Sequence, residues 1–346
     1  MPGRNASRAA LDVNPVKIQT FALRWSSFLQ FAREAWWAAR RIVLQQTFDI
    51  WQVLGLHVTP NHFYDPIPDT RNLPQSLWTR LDEMVGIDMR ADQQLRLLDQ
   101  FQSRFRGEYD AFPAQGSPSH GSYFVNNGTF ESVDGEVLFC MVRHFRPERI
   151  VEIGAGASTL AAAEAVVRNT SEGYPCRLTS IDPFPPTAIR AGVSGLTELA
   201  EKPAQEMPLE VFTQLQANDI LFIDSSHVVR IGGDVVFELL QVVPRLQVGV
   251  LVHVHDIFLP AEYAREWVLN QKRFWTEQYL LQAFLAFNSE FEVVWGASYM
   301  HLNYPDKLAA AFSSYRSDRC WPGSFWFRRV LSGSPHHERT PHQRMQ

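Results

Sequence analysis

Two short stretches concentrate the side chains able to move protons near neutral pH. One is Asp224-Ser225-Ser226-His227, closing the run DILFIDSSH; the other is His253-Val254-His255-Asp256, in VGVLVHVHDI. An unperturbed imidazole titrates near pH ~6.5, so it can accept a proton and hand it on, and a nearby carboxylate orients it. A third stretch, RIVEIGAGAST from Arg149 to Thr159, offers a different tool. Gly154 and Gly156 permit positive φ and put no Cβ between the loop and a ligand. A helix opening near Ser158 would aim its free N–H groups and its dipole at whatever occupies that turn.

All three stretches sit where apolar, β-branched runs end. RIVEIG, RLTSIDP, DILFIDSSH and VGVLVHVHDI read as strands, and SVDGEVLFCMVRHF, ASTLAAAEAVVR, PLEVFTQL and DVVFELLQVVPRL read as helices around them. Strands alternating with helices make parallel βαβ units, hence a doubly wound α/β sheet. Ligands on such a sheet bind outside the carboxyl ends of the strands, where these residues lie. Strand alternation places His253 and His255 on one face, with Asp256 turned away. A long aromatic helix is expected from about Ala261 to Phe287. Its Tyr263, Trp267, Phe274, Trp275 and Tyr279 suit an acceptor pocket, a core or a dimer contact equally.

The chain divides into four parts. Residues 1–18 are polar and read as disordered; 19–119 form a helical, loop-rich region; 120–331 carry the strands; 332–346 form a disordered tail. Within the second part, an amphipathic run spans Phe21 to Leu54, with Arg24, Arg33, Arg40 and Arg41 opposite its aromatic residues, and a further helix is expected over Ser76–Phe105. This region reads as a lid or dimerisation element rather than a membrane-surface helix, and a homodimer is compatible with it.

Composition removes several classes. With 346 residues, 45% of them hydrophobic, the chain can bury a full core. A net charge of -5 and a pI near 6.1 argue against a nucleic-acid partner. Cys140, Cys176 and Cys320 are too few and too scattered for a disulfide framework or zinc knuckle. There is no signal-peptide pattern and no run long and apolar enough to insert stably in a membrane, so a cytoplasmic protein acting on a small molecule is expected.

The glycine turn discriminates between cofactors. The dinucleotide fingerprint needs a third glycine where this chain has Thr159. Glu152, two residues before Gly154, repels a pyrophosphate but suits a ligand bearing an ammonium and a sulfonium. Asp182, at the end of RLTSIDP, can accept both ribose hydroxyls of an adenosine.

In order and spacing, VEIGAGAST, SIDP, DILFIDSSH and LVHVHDI resemble the class I S-adenosylmethionine-dependent methyltransferases. The likeness is greatest to a bacterial methyltransferase-domain group with a D-x-S-H element after the fourth strand, distantly similar to catechol-type and macrolide-sugar O-methyltransferases. It covers roughly His120 to Val330. It implies a seven-stranded Rossmann-like sheet whose last two strands, FEVVWGASY and SFWFRRV, form an antiparallel pair. It also implies cofactor contacts from Glu152, Gly154, Ala155, Gly156 and Ser158 near the methionine part, Asp182 on the ribose and Gln205 near the adenine, with Asp224 close by. Asn126 and Asn127 can reach the cofactor carboxylate or simply make a turn. For catalysis it implies His227 as general base, and Asp224 and Asp256 as ligands of Mg²⁺ or another divalent metal. Ile257 departs from this pattern, because metal-dependent members carry an oxygen-bearing side chain there; His255 can substitute, favouring Mn²⁺ or Zn²⁺. The expected activity is transfer of a methyl group to a hydroxyl of a small molecule or glycosylated metabolite. A nucleotide-dependent oxidoreductase and a non-catalytic cofactor-binding scaffold are the rivals.

Overall fold

A computed structural model describes residues 36, 39, 40, 42–62, 64–116 and 121–331. The chain falls into two compact units, Met1–Leu73 and Pro74–Gln346. In the first, the helix Phe48–Val53 follows further helical residues from Trp36 onward, and Trp36, Val43 and Ile50 are exposed. Most of the expected run before Trp36, residues 1–18 and the tail from 332 lie outside the described residues.

The second unit is built on seven strands: β1 Arg149–Ile153, β2 Arg177–Ile181, β3 Leu196–Ala200, β4 Ile220–Ile223, β5 Leu251–Val254, β6 Phe291–Gly296 and β7 Phe325–Arg329. Their order is β3-β2-β1-β4-β5-β7-β6. β1 to β5 pair in parallel, whereas β7 runs antiparallel to both β5 and β6. This is the doubly wound α/β sheet with the antiparallel last pair that the sequence led us to expect. The order reverses between β1 and β4, the switch point outside whose carboxyl ends ligands of such sheets bind.

The central strands are covered on both faces, which is why they read as continuous apolar runs. Ile150, Leu178, Phe222 and Trp326 join one buried cluster; Val151, Ile153, Leu221, Ile223, Val252 and Val254 join the other. Each such side chain, fully withdrawn from water, contributes about 1.5–3 kcal/mol. The first face is packed by α1 (Ala91–Tyr109), α2 (Asp134–Phe145) and α3 (Ala157–Ser171). The helix expected over Ser76–Phe105 is shorter and later. A 3₁₀ turn at Gln75–Trp78 is followed by irregular chain with left-handed Met84, Gly86 and Arg90, and α1 begins only at Ala91. Gln94 of α1 then accepts the Gly296 N–H at 2.9 Å, joining it to the end of β6.

The long aromatic helix is also corrected. It is two helices, Arg265–Leu269 and α4 (Glu277–Leu285), separated by a loop with Lys272 at φ 59°. Tertiary contact explains the break: the N–H groups of Thr276 and Glu277 donate to the His227 carbonyl at 2.9 and 3.2 Å. A helix continuing through these residues would have used those donors within itself.

Candidate active site

The glycine turn and the acidic stretch after β4 meet in backbone contact. Gly154 has φ 87°, and a Cβ there would lie 2.0 Å from the Asp224 carbonyl oxygen. Only glycine tolerates that approach in that conformation. At Gly156, by contrast, a Cβ would find nothing within 4 Å, so the turn's second glycine faces open space. Asp182 lies half-buried beside it, accepting the Ala155 N–H at 2.9 Å and the Phe184 N–H at 2.6 Å. Each of its oxygens keeps a further lone pair, so the carboxylate can also accept hydroxyls of a ligand.

Glu152 and Ser158 behave differently from expectation. Glu152 is 1% exposed and accepts hydrogen bonds from Ser158 (2.8 Å), Thr159 (2.7 Å) and Ser180 (2.6 Å). Burial pushes it up to about 7, against these three hydroxyls. Both side chains thus pin the start of α3 to β1 and β2. Thr159, the residue that replaces the dinucleotide glycine, completes the lock by accepting the Gly156 N–H at 3.0 Å. Gln205 is exposed on the 3₁₀ turn Ala204–Glu206 after β3. The Asn127 side chain closes its own turn, accepting from Thr129 and Phe130 and donating to the Phe124 and Phe130 carbonyls, so it has the turn role.

At the ends of β4 and β5 the predicted residues do converge. His227 is buried, and its Nε2 lies 3.4 Å from Asp224 Oδ1 and 3.5 Å from Asp256 Oδ2. His255 Nδ1 stands 3.5 Å from Asp256 Oδ1 and 3.7 Å from Asp224 Oδ1. Asp256 is not turned away as alternation demanded. Its φ of 55° ends the strand and swings the carboxylate back beside both imidazoles. His253 plays no part in the cluster: it stacks on Phe222 with ring centroids 3.9 Å apart and pairs with Ser324 Oγ at 3.1 Å. Burial, helped by His255, holds His253 well below its ordinary value, so it stays neutral.

Two carboxylates in the cluster were not foreseen. Glu277, 0% exposed at the first turn of α4, lies 2.9 Å from His227 Nδ1. Asp134, at the start of α2, stands 3.5 Å from His255 Nε2 while accepting the Gly323 and Ser324 N–H groups at 2.9 Å each. Glu277 could not be read from the sequence because the apparent helix around it hid its role as a helix start. Burial alone would depress His227, but Asp224 and Glu277 outweigh it and raise His227 to about 10. Burial likewise opposes ionisation of Asp224, but His255 and His227 prevail and hold it at about 2.

One wall of the cluster is aromatic. The Trp275 ring packs 4.4 Å from that of His227, Trp267 lies 5.1 Å from Trp275, and the Arg273 guanidinium covers both indoles. A separate cleft of about 420 Å³, lined by Arg80, Pro260, Glu262, Tyr279 and Gln282 among others, takes in Tyr279 of the expected aromatic set but none of the residues expected to touch cofactor, metal or proton.

Known proteins are similar to parts of this chain. A protein of Archaeoglobus fulgidus, itself uncharacterised, is 32% identical over 192 residues, covering 52% of this chain and 84% of that one. Residues 151–257 match a family described as a methyltransferase domain. The chain belongs to the class I S-adenosylmethionine-dependent methyltransferases. The matched segment of this methyltransferase runs from β1 to the residue after Asp256, and so contains the glycine turn and every cluster residue except Asp134 and Glu277. Among solved structures, an O-methyltransferase from Bacillus cereus in complex with S-adenosylhomocysteine is 13% identical at TM-score 0.35, covering 68% of this chain and 91% of that one. CmcI, in a Mg-SAM form, is 17% identical at TM-score 0.31 over 58% of this chain and 73% of its own.

Proposed function

We propose that this methyltransferase moves the methyl group of S-adenosylmethionine to a hydroxyl of a small molecule or glycosylated metabolite. The observation that carries the reading is the contact at Asp224. Its backbone abuts the glycine turn, and its carboxylate belongs to the Asp224/His227/Asp256 cluster, so cofactor loop and proton-accepting groups share one edge of the sheet.

In this reading the cofactor lies across the Gly154–Gly156 backbone with its ribose on Asp182. The acceptor approaches the Asp224 and Asp256 carboxylates beside the wall that Trp275 forms on His227. Methyl transfer requires an in-line approach of the hydroxyl oxygen to the sulfonium methyl, and holding the two together supplies most of the acceleration. The hydroxyl sheds its proton as the new C–O bond forms and its oxygen becomes positive, so an adjacent carboxylate is basic enough to take it. Asp224 and Asp256 fill that role; His227, raised by the carboxylates around it, holds them together instead of acting as the free base expected from its position.

The test is calorimetric titration with S-adenosylhomocysteine and, separately, NADH, followed by an acceptor screen with methyl-labelled cofactor. Binding of the first ligand alone and label on oxygen support the reading. Tighter NADH binding, or label on nitrogen or carbon, overturns it.

A further inference from the structure

We propose that Arg273 determines the specificity of the acceptor site by binding a carboxylate on the acceptor. The acceptor is then a hydroxy acid that carries its hydroxyl and its carboxylate on opposite sides of a ring. The inference rests on the acceptor reading above and narrows its substrate class.

The first argument is what Arg273 lacks. Arg90, Arg143, Arg190 and Arg329 each close on a carboxylate. Arg273 is exposed, and its guanidinium meets two aromatic rings but no carboxylate or carbonyl among the described residues. Its neighbour Lys272 is occupied instead, with Nζ donating to the Leu269 carbonyl at 2.6 Å.

The second is that this unpaired group is nevertheless held in place. The guanidinium lies 4.9 Å from the Trp267 ring and 5.0 Å from the Trp275 ring, and the Arg273 N–H donates to the Trp267 carbonyl at 2.9 Å. A guanidinium stacked on aromatic faces keeps its edge N–H groups free, and its planar fork fits a carboxylate with two parallel bonds. Because the fork is already ordered, less rotamer entropy is lost when it binds.

Position is the third. Trp275 touches both Arg273 and the cluster, its ring 4.4 Å from that of His227. Its loop is tied to the one after β4: the Thr276 N–H donates to the His227 carbonyl at 2.9 Å, and the Val229 N–H donates to Thr276 Oγ1 at 2.8 Å. A free cation is thus fixed one indole away from the carboxylates that take the hydroxyl proton in the acceptor reading.

Charge is the fourth. Asp224, Asp256 and Glu277 surround His227 in a chain of net charge -5, so an anionic acceptor needs a cation placed for it. The same arrangement sets the acceptor's direction by attraction and repulsion together. A carboxylate turned toward the cluster is repelled. One laid on Arg273 leaves the far side of the ring, with its hydroxyl, toward Asp224 and Asp256.

The test uses full-length protein saturated with S-adenosylhomocysteine and the matched pair para-hydroxybenzoate and para-hydroxybenzamide, which differ in charge and hardly in shape. Calorimetry should show the carboxylate binding about 10- to 100-fold more tightly than the amide. Arg273→Gln should abolish that preference, and Arg273→Lys, which keeps the charge without the fork, should retain part of it. The readout is a ratio, so a general loosening of the aromatic wall would move both ligands alike and leave the preference intact. Equal affinity for the pair in the unaltered protein, binding of neither, or a preference that survives Arg273→Gln overturns the proposal. The first two outcomes depend on no variant's folding. The cofactor titration that prepares the sample separates the two readings. S-adenosylhomocysteine binding without a carboxylate preference sinks only the role of Arg273, whereas failure to bind it sinks the methyl-transfer reading and this inference with it.

Discussion

The carboxyl end of the sheet carries two polar clusters, and they are built on opposite principles. Around Glu152 every donor finds an acceptor at 2.6–2.8 Å, and the carboxylate is sealed from solvent. Around His227 one pairing is close, Glu277 at 2.9 Å, but Asp224 and Asp256 stand off at 3.4–3.5 Å, Asp224 keeps 29% of its side chain exposed, and carboxylates outnumber imidazoles. A satisfied cluster rigidifies what it touches; a loosely paired one leaves its carboxylates free to accept further protons or hydrogen bonds. The difference teaches that the acidic residue nearest the glycine turn is a structural lock, whereas the cluster we propose for the chemistry lies at the ends of β4 and β5.

The largest expected break in that comparison comes from the loose cluster. Asp256→Asn keeps a residue that tolerates the left-handed backbone and removes one carboxylate. Turnover should fall about 10²–10⁴-fold, while calorimetry shows S-adenosylhomocysteine affinity unchanged. A variant that turns over normally would strip Asp256 of its role.

Next in size is the glycine pair. Gly154→Ala strains a positive φ and drives a Cβ into the Asp224 carbonyl, so denaturant unfolding should show a loss of about 3 kcal/mol or more. Gly156→Ala meets no atom within 4 Å, and stability should stay within about 0.5 kcal/mol. Its effect should appear in cofactor affinity alone. Equal destabilisation by the two would mean that the space before Gly156 is not a ligand site.

The tight cluster should break through stability rather than turnover. Glu152→Ala strands three buried hydroxyls and should cost about 2–4 kcal/mol. Smallest is a pH effect. Glu152 holds its proton up to about 7 in the folded chain but only to its ordinary 4.5 when unfolded. Between those values the unfolded state binds fewer protons, so this group's contribution declines as pH rises, by on the order of 1–3 kcal/mol. Glu152→Gln should flatten that slope in unfolding measured from pH 4.5 to 7; a slope unaltered by the substitution would assign it to other groups.

Much of the fold was legible because local patterns coincide with tertiary demands. The glycine turn and the strands β1, β2, β4 and β5 announce themselves as apolar runs bounded by turn residues, while the antiparallel last pair was implied by the family resemblance. β3 was poorly marked because it is an edge strand: Thr197 and Glu198 are exposed, and no continuous apolar run is required of it. The helices at 76–105 and 261–287 were overread for the opposite reason. Their helical spacing is real, but left-handed residues and bonds to distant carbonyls interrupt it. Gln205, expected near the adenine, is exposed on the turn after β3, and Asn127 takes the turn role that the sequence had also offered it.

What the sequence determined by itself is the identity of the reactive groups and the edge on which they gather. Strand periodicity and glycine placement are local properties, and they suffice to put Asp182, Asp224, His227, His255 and Asp256 at the carboxyl ends of the strands. What only the tertiary structure decided is how those groups are partnered. Glu277 reaches His227 from 50 residues away because α4 starts on the His227 carbonyl. Asp256 joins the cluster because its backbone turns left-handed at the strand end, and Glu152 is fixed in place because three hydroxyls from two other elements claim it. Each outcome depends on distances between segments remote in the chain, and only the packed structure sets those distances.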